Sequence, residues 1–342
     1  MPTSTAAPST APGACTPGTA AWISERVRRL TGLGVASIEL PGGAGRGSAE
    51  VVLSDGRRMI ATRRATPART ATEAVVLHAL SRAGAPVPKA VGHHDGLLLQ
   101  ERVEGARLSV ALAAPDADRV ALGGAAVAAL EACRKRLARL PQLAGRLPGL
   151  GTRSGWTDDF VSRPAFLSHD LRIAPPACDF GALARAIDAA PAHPTRWDAR
   201  TGNAVVRPDG RVVWFDWDVV GRRAGVEDVA WLLADEHWTP DAAESVEALR
   251  AGGVATSPML VRMAVLLAAA RMGTIHARVA RLGWADGDAA RADDGIGATP
   301  GAVDRLAARG AALATTDAVV APFAEWFPRA ASALRGTGGG GG

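Results

Sequence analysis

The stretch that decides the reading of this chain is "RWDARTGNAVVRPDGRVVWFDWD", Arg196–Asp218. Its Asn203 is the only asparagine among 342 residues, and it stands five positions after Asp198. The segment "AVVRPDGRVVWFD" reads as two short strands joined at Pro208-Asp209-Gly210. If Asp209-Gly210 forms a two-residue turn, Asn203 faces Asp216 across the hairpin, with opposed Cα atoms about 4.5–5.5 Å apart; a three-residue turn shifts this register by one. In either register an amide oxygen and a carboxylate converge at one end of the hairpin.

Two hard oxygen donors suit Mg²⁺, whose remaining positions go to water and phosphate oxygens. Asp198, on the loop entering the hairpin, is placed to accept a proton from a hydroxyl held beside a metal-bound phosphate. D-x-x-x-x-N, a hairpin and a second Asp form a phosphoryl-transfer layout. The spacing alone arises easily by chance, and the plain alternative for Asp198 and Asn203 is a helix cap or Asx-turn pair. The context upstream sharpens the first reading.

There "WISERVRRLTGLG" reads as a short helix, and "VASIEL", "SAEVVLS" and "RMIATRR" as an antiparallel meander over residues 35–64. The loop "PGGAGRGS" joins its first two strands, and Asp55-Gly56 supplies the positive φ of a tight hairpin between the last two. "ATEAVVLHALSRAGAPVPKAV" reads as a helix ended by Gly84 and the Pro86/Pro88 pair. Val76, Leu77 and Leu80 share a face with Glu73 at its centre, so that carboxylate needs a buried partner, in the plainest case a structural arginine. "GLLLQERVEG" adds an apolar strand running into a polar connector, the expected domain boundary. From about residue 115 the pattern is mainly helical, with "DADRVALGGAAVAALEACRKRLARL" and "MLVRMAVLLAAARMGTIHARVARL" carrying apolar stripes. The expected organisation is a disordered tail (1–20), an N-terminal unit (21–105), a C-terminal unit (106–335) and a flexible glycine tail (336–342).

A hydrophobic content of 48% is ample for a core. The net charge of +5 comes from arginines scattered among acids, so no nucleic-acid surface is expected. Cys15, Cys133 and Cys178 are far apart and lack metal or C-x-x-C spacing, which makes a reducing cytoplasm the expected compartment. The apolar run "MAVLLAAA" at 263–270, fenced by Arg262 and Arg271, falls short of the roughly 20 residues of a membrane helix, and no membrane partner is expected.

These motifs resemble those of the aminoglycoside phosphotransferase and choline-kinase-like small-molecule kinases, which show H-G-D-x-x-x-x-N, a hairpin, an I-D-W-type segment and G-x-x-x-x-D-L-A. Here stand "RWDARTGN", "WFDWD" and "GRRAGVEDVAWLLAD", and "TEAVVLHALSRAGAPVPKAVGHHDGLLLQERVEG" is similar to that family's N-lobe. The resemblance covers roughly residues 24–240. It implies an α+β, bilobal protein-kinase-like fold with a small antiparallel β-rich N-lobe and a larger, mostly helical C-lobe. ATP and Mg²⁺ would sit in the cleft, and the γ-phosphoryl group would pass to a hydroxyl of a small molecule.

Position by position, the resemblance implies Asp198 as the catalytic aspartate and Asn203 and Asp216 as the Mg²⁺ ligands. Asp228 would brace the catalytic loop, and Gly43 and Gly45 would belong to the nucleotide-covering loop. Glu73 would anchor the base that holds the α- and β-phosphates, and Gln100, Glu101, Arg102 and Val103 would form the adenine-lining hinge. Aligning Ile60-Ala61-Thr62-Arg63 with V-A-I-K puts Arg63 in the place of the phosphate-binding lysine; the alternative is a solvated strand charge. Arg196 stands where the family keeps its histidine. These departures motivate a second reading, a non-catalytic nucleotide-binding regulatory protein on the same fold. A polycationic acceptor would draw on Asp158, Asp159, Asp235 and Glu236, while an amino alcohol or sugar fits the sequence equally well.

Overall fold

The computed structural model describes residues 16–39 and 47–337. Gly43 and Gly45 lie outside the described residues, as does most of the expected N-terminal tail. The chain divides into two units, residues 1–74 with 90–102, and residues 75–89 with 103–342.

In the first unit, helix α1 (Ala20–Thr31) starts at Thr19, whose hydroxyl accepts from the Trp22 N–H at 3.3 Å, and stops at Gly32 in the left-handed region, φ 74°. The sheet contains β1 (Val35–Glu39), β2 (Ser48–Leu53), β3 (Arg58–Arg63), β4 (Ala90–His94) and β5 (Leu97–Glu101), all antiparallel, in the order β1-β2-β3-β5-β4. Side chains alternate across a strand. Ala49, Val51, Leu53, Met59, Ala61, Leu97 and Leu99 therefore share one face, where they enclose Trp22, Ile23 and Val27 of α1 in a single core. The opposite face carries Ile60 against Gln100 and Thr62 against Leu98. The β2–β3 turn is the tight hairpin expected, with its positive φ at Gly56. Leu53 N–H bonds to Arg57 C=O, so Ser54-Asp55-Gly56 form a three-residue loop in which Gly56 alone is left-handed, φ 85°. Helix α2 (Pro67–Arg82) follows, its part up to Ala74, with the fully buried Glu73, counted in this unit and the rest in the second.

The second unit holds two small sheets. Strands β6 (Ala106–Arg107), β8 (Ala204–Val206) and β9 (Val212–Trp214) form one, and β7 (His193–Thr195) pairs with β10 (Gly221–Arg223) in the other. Around them stand α3 (Leu108–Ala111), α4 (Arg119–Ala138), α5 (Pro141–Ala144), α6 (Trp156–Val161), α7 (Arg163–Asp170), α8 (Phe180–Asp188), α9 (Glu227–Ala234), α10 (Ala242–Ala251), α11 (Pro258–Leu282), α12 (Gly287–Ala292), α13 (Pro300–Ala314) and α14 (Phe323–Thr337). Helix α11 is the spine of this unit, packing on α9, α13, α7 and α14. The apolar run read as eight residues continues into a 25-residue helix, long and apolar enough by length and composition to cross a membrane. Its most apolar window is 72% buried inside the fold, which marks it as a core helix.

Helices α4 and α10 meet through glycine. A Cβ on Gly123 would come within 2.8 Å of the Trp238 ring and 2.9 Å of the Ala248 methyl. Gly123→Val is expected to lower the unfolding free energy by at least about 2 kcal/mol through overpacking, despite a slightly better helix propensity. Denaturant unfolding measures this, and an unchanged midpoint would contradict the close packing.

Candidate active site

The hairpin takes the shifted register. Ala204 pairs with Trp214 and Val205 with Val213, and Phe215 N–H donates to Asn203 C=O at 3.1 Å. Pro208-Asp209-Gly210 is thus a three-residue loop with Gly210 left-handed at φ 78°, and Asn203 stands opposite Phe215, one residue before Asp216. Asp216 itself has φ 64°, so the chain turns sharply there. Asp198 and Asn203 are brought together: the Asn203 Nδ2 donates to the Asp198 carbonyl and to its Oδ2, both at 3.0 Å. With the amide nitrogen engaged on Asp198, the amide oxygen is the end that remains for a cation. Arg200 grips the same carboxylate, Nε to Oδ1 at 2.9 Å and Nη2 to Oδ2 at 3.4 Å. Burial pushes the Asp198 carboxyl up, but the Arg200 charge and hydrogen bonds, with Arg196 and Asn203, more than reverse this and hold it below the usual carboxylate range.

The loop around Asp198 is held from both ends of α9. Asp228, near the helix start, accepts from Thr195 Oγ1 at 2.9 Å, from the Arg196 N–H at 3.1 Å and from the Trp197 N–H at 2.8 Å. Burial pushes its carboxyl up even against these bonds and the nearby Arg196 charge. Asp235, just past the helix end, accepts from both the N–H and the hydroxyl of Thr201 at 2.6 Å. Asp228 was legible from the sequence as a loop brace; Asp235 was read as a pocket acid and is instead a second brace, 1% exposed. Behind it the buried Arg309 of α13 donates to the carbonyls of Leu233, Asp235, Trp238 and Pro240 at 2.6–3.2 Å. Burial pulls the Arg309 guanidinium down to about 10.

Arg196, in the place of the family's histidine, is 1% exposed and supports the Asp216 turn directly. Its Nη2 donates to the Phe215 and Asp216 carbonyls at 2.6 and 2.7 Å, and its guanidinium lies 5.0 and 5.4 Å from the ring centres of Trp214 and Trp217. Trp197 follows at φ 69°, an unusual conformation for a bulky residue. Its N–H is fixed on Asp228 and its ring meets Trp156 and Trp231 edge-on, with centroids 5.7 and 6.5 Å apart. These contacts offset the backbone strain.

In the first unit the partner of Glu73 is Arg64, not Arg63. Arg64 Nε and Nη2 each donate to a Glu73 oxygen at 2.6 Å, a bidentate pair. Met59 and Ala61 face the α1 core, so Arg63 continues that face outward and is exposed, the solvated alternative. The face of Ile60 and Thr62 leads to Arg64, so the base that Glu73 anchors stands one residue later than expected. Of the expected hinge, Gln100 is buried on β5, and its Oε1 has no hydrogen-bond partner among the described residues. Glu101 pairs in register with Met59, Arg102 Nε bonds Glu50 at 2.9 Å, and Val103 opens the second unit.

The other acids considered for a cationic acceptor are largely committed. Glu236 is 1% exposed and forms a bidentate pair with Arg271. Burial pushes its carboxyl up, but Arg271 overrides this and holds it low. Asp159 pairs with Arg153, while Asp158 is exposed on α6.

With this geometry in place, the sequence profile of the APH phosphotransferase enzyme family matches residues 39–266, more than half of the chain. The chain belongs to the phosphotransferase enzyme family. No curated protein matches its sequence. Among solved structures, amicoumacin kinase hAmiN in complex with AMP-PNP, Ca²⁺ and Ami is 15% identical, covering 70% of this chain and 80% of its own, at a TM-score of 0.50. Macrolide 2′-phosphotransferase MphH from Brachybacterium faecium is 16% identical over 80% of this chain and 96% of its own, with a TM-score of 0.49. Choline kinase LicA from Streptococcus pneumoniae is 15% identical over 83% and 97%, with a TM-score of 0.45. The fold of this phosphotransferase is the α+β kinase-like one that its motifs imply, with an antiparallel sheet in one unit and helices dominating the other.

Arg64→Ala is expected to leave the buried Glu73 charge uncompensated and to cost about 3 kcal/mol, whereas Arg63→Ala stays within about 0.5 kcal/mol. Parallel denaturant curves compare the two, and equal effects would contradict the assignment of the pair.

Proposed function

We propose that this phosphotransferase moves the γ-phosphoryl group of Mg²⁺-ATP to a hydroxyl of a small molecule, with Asp198 as the group that accepts the hydroxyl proton. The observation that carries this reading is the Asp198 carboxylate, held by Asn203 and Arg200 at the end of a hairpin whose next polar residue is Asp216. The donor set fits the metal. Asn203, its amide nitrogen turned to Asp198, and Asp216 offer one amide oxygen and one carboxylate. Two protein ligands completed by phosphate oxygens and water are the usual arrangement for Mg²⁺. In the first unit the buried, unpartnered Gln100 Oε1 suits a purine amino group, and we assign to Arg64, oriented by Glu73, the phosphate-binding part first read for Arg63.

When bound, Mg²⁺-ATP supplies the electrophilic phosphorus and neutralises the charge on its phosphates. The chain itself positions groups. Asn203 and Arg200 fix the plane of the Asp198 carboxylate, Asp228 and Asp235 fix the loop that carries it, and Arg196 fixes the Phe215-Asp216 backbone. In this reading Arg196 and Arg64 take the supporting parts that the resemblance gives to a histidine and a lysine. The acceptor is inferred to carry at most one positive charge. Asp235 and Glu236 are buried and engaged, and Asp159 is paired, which leaves exposed Asp158 as the single acid of that set open to a ligand.

Asp198→Asn is expected to lower kcat by at least about 100-fold while nucleotide still raises the melting temperature. Asp216→Asn removes the part of that thermal shift that depends on Mg²⁺. Full turnover by Asp198→Asn sinks the assignment. In an ATP-consumption panel, neutral polyols, sugars or amino alcohols are expected to outperform polycationic aminoglycosides by at least about tenfold in kcat/KM; the reverse order refutes the acceptor class.

A further inference from the structure

Beyond the matched segment 39–266, the connector between α12 and α13 returns to the catalytic loop. Asp294 stands there at φ 51°, a left-handed conformation that aspartate tolerates. Its Oδ1 lies 3.6 Å from Arg200 Nη1 and its Oδ2 lies 3.5 Å from Arg107 Nη1. Arg107 also donates to the Gly202 carbonyl at 3.1 Å. The approach depends on glycine, because a Cβ on Gly202 would overlap the Asp294 carboxylate. The result is a line of alternating charges, Arg107, Asp294, Arg200 and Asp198, that starts at β6, crosses the connector and ends on the proposed base.

Arg200 is the middle of this line and its geometry divides the guanidinium cleanly. The Nε and Nη2 edge faces Asp198, and Nη1 faces Asp294. A long side chain hydrogen-bonded at one edge alone pivots about its last torsions, and a second carboxylate at ion-pair distance from its other edge attracts that edge and restrains the pivot. The Asp294 carboxylate is itself confined by Arg107 and by contact with Gly202. All four side chains are one-third exposed or less, so solvent screens the line only in part.

We propose that Asp294 is a positioning residue for phosphoryl transfer, clamping Arg200 so that the Asp198 carboxylate keeps its orientation toward the acceptor hydroxyl. The segment 283–299 thereby becomes part of the active site. This rests on the function proposed above and adds to it a residue that the D-x-x-x-x-N motif does not contain. Asp294 touches neither reacting group and acts only through Arg200.

The test is a double-mutant cycle on the full chain with the best acceptor from the panel, read as kcat, KM for both substrates, and the nucleotide Kd by calorimetry. Arg200→Ala is expected to lower kcat about 100-fold, since misplacement of a reacting group by about 1 Å has that effect. Asp294→Asn lowers kcat about 10-fold, with both KM values and the nucleotide Kd within about twofold of wild type. Asp294→Glu recovers part of the loss. The double variant is no worse than Arg200→Ala within about twofold, because the second change has nothing left to act through. Multiplying effects in the double variant, an unchanged kcat in Asp294→Asn, or a loss that falls on nucleotide Kd instead of kcat each overturns the proposal. A wild-type chain that transfers phosphate to no acceptor overturns the parent reading and this one with it; an active wild type with an additive cycle overturns this one alone.

Discussion

Everything at the candidate active site depends on one short helix with a carboxylate at each end. Helix α9 spans eight residues, and Asp228 and Asp235 are seven positions apart, about 10 Å along the axis at 1.5 Å per residue. The first takes the N–H groups and hydroxyl at the front of the loop, the second those of Thr201 at its back. The helix works as a ruler that sets the span of the loop carrying Asp198. Because most of these bonds are to backbone N–H groups, the loop keeps its path whatever side chains it bears. That is why Trp197 can occupy a left-handed conformation in the position where the resembled motif has glycine.

The ruler needs a firm support, and α11 and Arg309 provide it. A carboxylate pair buried on one small helix would otherwise be costly. Asp228 accepts from three donors, and four carbonyls, that of Leu233 in the last turn of α9 and those of Asp235, Trp238 and Pro240 after it, are collected by a single guanidinium from α13. Arg271, from the centre of α11, neutralises the adjacent Glu236. The polar network is buried and largely satisfied, the condition under which such networks specify one arrangement instead of several.

How much of this was legible in the sequence depended on range. Local patterns were readable: the solitary Asn203 after Asp198, the strand meander, the Gly84 stop and the burial of Glu73 all follow from neighbours within a few residues. Turn register was readable only as a choice. Ser54-Asp55-Gly56-Arg57 and Pro208-Asp209-Gly210-Arg211 behave alike: in both, the Asp carboxylate accepts from the following Arg N–H at 3.1 Å and Gly alone is left-handed. Asp at the middle position thus selects the three-residue loop by bonding its own backbone two residues on. The choice between Arg63 and Arg64 was decided by strand parity, since a one-residue slip moves every side chain to the other face. Counting from apolar Met59 and Ala61 would have assigned Arg64. Asp235 and Glu236 were not legible at all. Nothing local separates a pocket acid from a brace when the deciding partners, Arg271 and Arg309, lie 35 and 74 positions away.

One compositional fact then acquires a physical meaning. The chain has lysine at only two positions, Lys89 and Lys135, and the cations buried around the candidate site are arginines. Arg196 bonds two consecutive carbonyls with one nitrogen, and Arg64 has a two-point grip on Glu73. A guanidinium has five donors in a fixed plane and is less strongly hydrated than an ammonium, so it can be buried where its donors meet carbonyls or carboxylates in that plane. Arg309 is buried under this condition, with three nitrogens on backbone carbonyls, whereas Arg196 places one nitrogen on two carbonyls and lies beside the rings of Trp214 and Trp217. A site built this way resists small rearrangements of its loop, and Arg200, set between the carboxylates of Asp198 and Asp294, extends that restraint to the carboxylate it binds.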